Sequence, residues 1–461
     1  MQTVTTGAAT RIEGRLTRHD RDRNPYLLVP FRVPPGVRGL EVRLRHDPAG
    51  DADRPDIGAV IDLGLIGPGP TTIGTEAFRG WSGSERSVVR IGPRSATPGY
   101  HAGPIASGRW HAILGLYAIP DEGATFWLDV ELLDADPRVE APAAAGSDPD
   151  AAPARSPAPL AGTAAEPWRW FACDLHAHSL HSDGIDEIEG LRAAARRRGL
   201  DVLFVSDHNT TSQHRWLERD AARPDDTVLL PAEEVTTYRG HMNAIGSTEW
   251  VDFRHRDREG IVGAIEAVHR GGGLASINHP RRNPCSWEWG DVPMDLVEVW
   301  NGSWSDADEA ALTWWCELAA ARSAARGGGA PTPVGGSDCH DAASLAAPLG
   351  GPVTWVRAVA PDRAAIVAGL AAARTALTDS PAEPPPAVRR QGPSIVWDLP
   401  PAAGRRLVLR GPVGVSGEIR LDDGSRAEWP TDGAASGPVA AEIRGPDDRL
   451  HALVPLIERG D

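Results

Sequence analysis

Residues 174–184, reading DLHAHSLHSDG, constrain this chain more than any other stretch. His176 and His178 stand two positions apart, with Asp174 and Asp183 on either side. The run before them, WRWFACDL, reads as a buried strand. In an extended chain, residues i and i+2 face the same way. A strand that ends in His-x-His therefore aims both imidazoles at one point, as two ligands of one metal ion must be aimed. Taken alone, the pair reads more readily as two surface or core histidines; the rest of the chain overturns that reading.

Composition removes several alternatives. At 461 residues the chain exceeds one ordinary core, and two to four domains are expected. Its 41% hydrophobic and 24% charged residues are those of a globular protein. No apolar run reaches the roughly 20 residues of a membrane span, and the first residues, MQTVTTGAATRIEGR, show no apolar signal core. These features predict a cytoplasmic protein with no membrane partner. Four cysteines, Cys173, Cys285, Cys316 and Cys339, form no C-x-x-C and read as reduced thiols. The net charge of −16 argues against an extended nucleic-acid partner, since phosphate affinity comes from cationic contacts. It leaves room for a small-molecule substrate held by metal and one or two arginines. Every one of the 47 basic residues is arginine. With no lysine, a Walker-A, Schiff-base or kinase lysine is excluded.

Along the chain, residues 1–133 carry alternating apolar runs such as RGLEVRLRH and ATFWLDVELL, punctuated by Gly, Pro and Asp. They predict a β-sandwich-like domain. Residues 134–167 are almost wholly Ala, Pro, Asp, Gly and Ser and predict a flexible linker. From 168 to 380, strands alternate with helical stretches, the texture of a parallel α/β fold. After a Pro-rich joint, residues 393–461 predict a small β domain with a turn at Asp422–Gly424.

Polar groups fall at the ends of the α/β strands, where such folds place their chemistry. After His176, His178 and Asp183 come Asp207 and His208, closing VLFVSDHN, then Glu233 and Glu234, closing TVLLPAEEV. His241 follows in GHMNAIG, His279 closes LASINHP, and Asp338 and His340 sit in GGSDCH. The i, i+2 spacing again turns Asp338 and His340 one way and Cys339 the other. Histidines and carboxylates without thiolates suit Zn, Mn or Fe. So many acidic groups in one place would repel each other without cations, which implies more than one metal.

These motifs resemble the PHP (polymerase and histidinol phosphatase) superfamily of metal-dependent hydrolases, and GHMNAIG, INHP, VEVWNG and GGSDCH are most similar to its CehA/McbA branch. The resemblance covers residues 168–380 and implies a distorted (β/α)7 barrel with two or three divalent metal ions at one face. It implies that His176, His178, Glu234 and Asp338 hold the first metal. Glu234 would bridge to a second held also by His241 and His279, and Asp183, His208 and His340 would hold a third. Glu234 is preferred to Glu233 because it precedes Val-Thr as in the family pattern, and the two must face opposite ways in a strand.

Around these ligands, Asp207 is a candidate to orient His208 or accept a proton, with a hydrogen-bond acceptor role as the alternative. Arg281 and Arg282, directly after His279, are candidates to grip a phosphate. Asn301 is a candidate to line the pocket, and His181 is expected to be exposed or to lie behind the ligands. Trp287 and Trp289 are candidates for an apolar wall. The superfamily resemblance implies a phosphoesterase; its branch implies hydrolysis of a carboxyl or carbamate ester, and a non-catalytic metal-binding interaction protein is a third reading. The ligand set alone does not separate phosphorus from carbon, and the oligomeric state is open.

Overall fold

A computed structural model describes residues 1–50, 58–139, 168–217, 227–324, 329–391, 394–398, 404–411, 414–421, 426–430 and 440–456. The N-terminal part builds β1 (Gln2–Thr6), β2 (Ala9–Leu16), the short helix α1 (Arg18–Arg23), β3 (Tyr26–Val33), β4 (Gly39–Asp47), β5 (Val60–Ile66), β6 (Phe78–Trp81), β7 (Val88–Ile91), β8 (Gly108–Ala118) and β9 (Ala124–Leu133). These strands form two antiparallel sheets, in the orders β1-β2-β9-β4-β7 and β3-β8-β5-β6. The period of two explains the sheets' core: along β9, Phe126, Leu128 and Val130 are buried while Trp127 and Asp129 turn outward. Leu40, Val42, Leu63, Leu65, Trp110 and Leu114 join them in one cluster. The four-stranded sheet also contributes Tyr26, Phe78 and Trp81 to a second cluster, shared with Val235, Met242 and Phe253 of the next part.

That part runs β10 (Arg169–Asp174), α2 (Ile188–Arg198), β11 (Val202–Val205), α3 (His214–Leu217), β12 (Val228–Pro231), β13 (Glu234–Thr237), β14 (Gly240–Ile245), α4 (Arg258–Arg270), β15 (Leu274–Ile277), β16 (Leu296–Asn301), α5 (Asp306–Ala324), β17 (Thr332–Gly336), β18 (Val353–Ala358), α6 (Arg363–Ala371) and β19 (Thr375–Thr378). Several of its strands, among them β11, β15 and β16, are buried at every position, as strands covered on both faces are. Helix α4 shows how the crossovers form. Asp257 caps it by accepting from Gly260 N, and Ile261, Ala264, Ile265 and Val268 make one buried stripe.

The result is a mixed, sheet-rich α/β architecture with few helices. Strands β12, β11 and β10 are parallel neighbours, as are β15, β16 and β17, but β13 and β14 form an antiparallel hairpin. The regular strand–helix repeat expected from the sequence is interrupted there, and the strands fall into two sheets rather than one closed ring. Two isolated bridges, His208 to Glu234 and Ala177 to Cys339, join the sheets just past their strand ends.

The C-terminal strands are β20 (Ala387–Gln391), β21 (Ser394–Asp398), β22 (Arg406–Gly411), β23 (Gly414–Arg420), β24 (Arg426–Pro430), β25 (Ala440–Arg444) and β26 (Leu450–Pro455). Strands β20, β21 and β24 make a sheet of their own. The other four do not: β26 pairs with β19, Leu377 opposite Leu453, so that one nine-stranded sheet runs β12-β11-β10-β18-β19-β26-β25-β22-β23. The expected linker lies outside the described residues from 140 to 167, and so does the turn expected at 422–424. Among the described residues, no helix is long and apolar enough to cross a membrane.

Candidate metal centre

The six polar groups meet where their strands end. Past β10 the chain delivers His176 and His178; Gly336 of β17 lies so close that a Cβ there would stand 2.5 Å from His176 Cβ. Strand β11 leads to Asp207, His208 and Asn209, and β15 to Asn278 and His279. His279 and Asp338 both have positive φ, 26° and 52°, as does Asn209 at 54°. Such backbone costs about 1–3 kcal/mol per residue, persists where the surroundings dictate it, and clusters at functional sites. Glu233 and Glu234 face opposite ways: Glu233 accepts from Val251 N at 2.8 Å, while Glu234 enters the cluster.

Glu234 divides the cluster between its two oxygens. Oε2 lies 3.4 Å from His176 Nε2, 3.5 Å from His178 Nε2 and 3.0 Å from His208 Nδ1. Oε1 lies 3.1 Å from His241 Nδ1 and 3.2 Å from His279 Nε2, and it accepts from Asn278 Nδ2 at 2.8 Å. Asp338 Oδ1 stands 3.3 Å from His176 Nε2 and 3.1 Å from His178 Nε2. On the open side, Asp183 Oδ2 is 3.3 Å from His208 Nε2 and 3.2 Å from His340 Nε2. All nine expected ligands therefore fall into one contiguous cluster. Three tight groups within it could each hold an ion: His178, Asp183, His208 and His340; His176, His178 and Glu234; and His208, Glu234 and His241.

The donor atoms fit metal ions. His176 Nε2, His178 Nδ1, Glu234 Oε2, Asp183 Oδ1 and His279 Nδ1 are buried without a hydrogen-bond partner. Leaving such atoms unmade is expensive in a protein interior. Carboxylate oxygens and imidazole nitrogens gathered in this way match the needs of divalent cations.

Charge in the metal-free cluster is shared among protons. Burial opposes the charge on Glu234, yet His208, His176 and His241 outweigh it and hold the carboxyl well below its usual range. The same balance, through Asp338 and Glu234, pushes His176 well up. Burial and the neighbouring His340 and His208 depress His178 to about 4. Burial also opposes the charge on His340, but its bond to Asp183 raises it to about 9. Glu233 is pushed well up by burial, with Asp252 adding to the shift.

A second layer orients the first. Glu298 Oε1 lies 3.0 Å from His176 Nδ1, while its Oε2 accepts from His279 N at 2.8 Å and from Asn301 Nδ2 at 3.0 Å. This fixes the His176 tautomer so that Nε2 faces the cluster, the usual arrangement of carboxylate, histidine and metal. Sequence reasoning missed Glu298. A carboxylate inside the apolar strand LVEVWN is itself a signal, because such residues are rarely buried unpaired. Asp174 accepts from Ser337 N and Gly350 N, tying β10 to the loop after β17 and to that before β18.

The remaining candidates are placed as follows. Asp207 does not touch His208; its buried carboxylate accepts from Ser179 N, Ser179 Oγ and Ser182 Oγ at 2.7–2.8 Å. It is a buried hydrogen-bond acceptor that shapes the turn before Asp183. His181 is buried, not exposed, with Nδ1 2.8 Å from Ser212 Oγ. Arg282 stays at the rim, donating to Asn301 O at 2.9 Å with Nη1 3.9 Å from Asp338 Oδ2. Arg281 turns away and lies over the Trp314 ring. Trp287 and Trp289 belong to the buried core, where Trp289 Nε1 donates to Thr237 Oγ1; Trp289 also lines a cavity with Tyr238 and Arg239. Asn301 sits behind Asp338, donating to its Oδ2 at 3.3 Å. Cys285 contacts His241, and the chain's four cysteines are all free thiols.

Fold and site together define an α/β protein with a His/Asp/Glu cluster that could hold divalent metal ions. No protein-family model matches the chain. Over 145 residues it is 25% identical to an uncharacterized protein of Methanocaldococcus jannaschii, a match spanning 28% of this chain and 80% of that one. Among solved structures it is similar to a two-domain protein of Bacteroides vulgatus containing a predicted PHP-like metal-dependent phosphoesterase. That likeness has 19% identity and a TM-score of 0.37, over 63% of this chain and 96% of the other.

Proposed function

We propose that the chain is a metal-dependent hydrolase of the PHP type, acting on a phosphoester in a small substrate. The observation that carries this reading is Glu234, whose two oxygens face two separate sets of imidazoles, the geometry of a carboxylate that bridges two cations. The two bridges joining the sheets are read as the seam of a distorted seven-stranded barrel, with the cluster at its mouth.

Two or three divalent ions of Zn, Mn or Fe, when bound, would lower the pKa of water toward neutrality and polarise the substrate's phosphoryl oxygen. His176, His178, Glu234 and Asp338 would hold the first, Glu234, His241 and His279 the second, and Asp183, His208 and His340 the third. The chain's own residues do the positioning. Glu298 orients His176, Asn278 steadies Glu234, and Asn301 steadies Asp338. Arg282, about two-fifths exposed at the rim, is placed to donate to an anionic substrate oxygen. Arg281 is engaged by Trp314.

The reading is tested by assaying p-nitrophenyl phosphate and a naphthyl carbamate, each with Mn and with Zn. Turnover of the phosphate supports it; turnover of the carbamate alone replaces it with ester hydrolysis. Metal uptake with turnover of neither points to a binding role.

A further inference from the structure

We infer that the N-terminal sheets are a working part of the metal centre: Arg86, with Gly99 beside it, clamps turn 179–184 so that Asp183 reaches His208 and His340. The inference rests on the metal-centre reading above. It gives a role to a region in which the sequence shows no chemistry.

The turn that carries Asp183 contains no helix and no strand, so its carbonyls need partners from elsewhere. The N-terminal sheets meet three successive residues of it. Arg86, just ahead of β7, donates from Nη2 to Leu180 O at 2.6 Å and from Nη1 to Ser182 O at 2.7 Å. Between them, His181 O is backed by Gly99, whose φ is +92°; a Cβ there would lie 2.8 Å from that carbonyl and 2.6 Å from Trp81 O. Only glycine fits so close a backbone contact at that φ. Gly99 is itself fixed to the central part, its N donating to Ser212 Oγ and its O accepting from Thr210 Oγ1. Ser212 Oγ in turn meets His181 Nδ1. From the inner side, Asp207 takes Ser179 and Ser182.

Gripped from both sides, the turn has one shape. Asp183 then stands between imidazoles from two different strand ends, Oδ2 3.3 Å from His208 Nε2 and 3.2 Å from His340 Nε2. A ligand on a loop needs such bracing, because a displacement on the order of 1 Å is enough to spoil a constellation. The inner ligands do not depend on the clamp: His176, Glu234, His241 and His279 are carried by or abut central strands. Arg86 is thus a positioning residue for the open-side ion alone.

The experiment uses the full chain as wild type, R86A, R86K, G99A and H279A. Zn2+ and Mn2+ are titrated against a chromophoric chelator, bound metal is counted after dialysis, and amide exchange across 179–184 is followed in EDTA-treated protein. R86A and G99A are expected to lose one ion or bind it about tenfold or more weakly, the usual effect of removing a ligand's support. Exchange across 179–184 should speed up in both, and R86K should recover part of each effect by reaching one carbonyl. H279A should weaken a different ion and leave that exchange unchanged. Wild-type metal number and affinity in both R86A and G99A would overturn the clamp. If the wild type takes up no metal, the metal-centre reading falls, and exchange alone decides the clamp: unchanged protection in R86A refutes it, faster exchange upholds it.

Discussion

Two charge clusters in this molecule both set carboxylates against nitrogen-bearing side chains and differ in how they are closed. In the C-terminal part, Arg410 and Arg444 face Glu442 and Glu309: Arg444 Nε meets Glu442 Oε2 at 2.6 Å, and both arginines reach Glu309 at 2.7 Å. Arg410 Nε also pairs with Glu442 Oε1. Every carboxylate oxygen there has a guanidinium donor, and the charges of two arginines and two glutamates cancel. Around Glu234 the carboxylates face imidazoles whose nitrogens are partly orphaned, and Arg282 reaches only the rim, 3.9 Å from Asp338 Oδ2. The first cluster is complete as protein. The second is complete only with cations or extra protons, and that difference separates a structural network from a site.

Substitutions in each cluster can break or sharpen this contrast. The largest effect is expected from D338A or H176A, which should abolish turnover, a loss of at least roughly 10^3-fold, because several kcal/mol of stabilisation leaves with the metal. Metal content should fall with it; full activity in either variant would remove that residue from the ligand set. Next, E442A leaves two buried guanidinium groups to share the partly exposed Glu309 and should cost about 3 kcal/mol of folding stability, read as a lowered denaturant midpoint. Its folded fraction should bind as many metal ions as the wild type.

A smaller effect falls on the layer behind the ligands. E298Q should lower metal affinity by roughly 10–100-fold, measured by chelator competition, since it weakens the acceptor that fixes His176. Smaller again, R282A should raise KM about tenfold with unchanged metal content, as for one lost charge-assisted bond. R281A should leave KM within about twofold, because it removes an exposed cation–π contact only.

The slightest effect concerns pH in the metal-free protein. His340 is raised to about 9 from 6.5, so its protonated form favours the folded chain. That contribution is complete below about pH 6.5 and fades as the pH climbs through about 9. The melting temperature of EDTA-treated protein should therefore drop across this window, and H340Q should flatten the slope. A slope equal to that of the wild type in H340Q would detach the effect from His340.

Most of the ligands were legible because they follow an apolar run, and a polar residue at such an end is visible in one dimension; His241, near the start of β14, and Asp183, in a turn, are not of this kind. Glu234 was separable from Glu233 by the alternation of a strand. Glu298 was hidden by the same apolar texture that exposes the others: it lies within its strand, one residue before a register shift between Glu298 and Trp300. Arg86 could not be read at all, because its partners Leu180 and Ser182 lie more than 90 residues away and are backbone atoms without a sequence signature. Strand pairing across the molecule was equally silent. Nothing local announces that Leu377 faces Leu453, so the sequence predicts a small C-terminal β domain without showing that four of its strands extend the central sheet. The parallel order is interrupted at β13–β14, where a tight hairpin joins two strands with no helix between them.

The pairing of β19 with β26 also decides where this protein tolerates scissors. The proline-rich joint after residue 380 invites a trimmed version that keeps every ligand and discards the tail. Such a trimmed chain would bare a row of amide and carbonyl groups along β19, an adhesive margin that other molecules can add to. The shortened protein would be expected to precipitate or self-associate, although the removed segment carries none of the expected ligands.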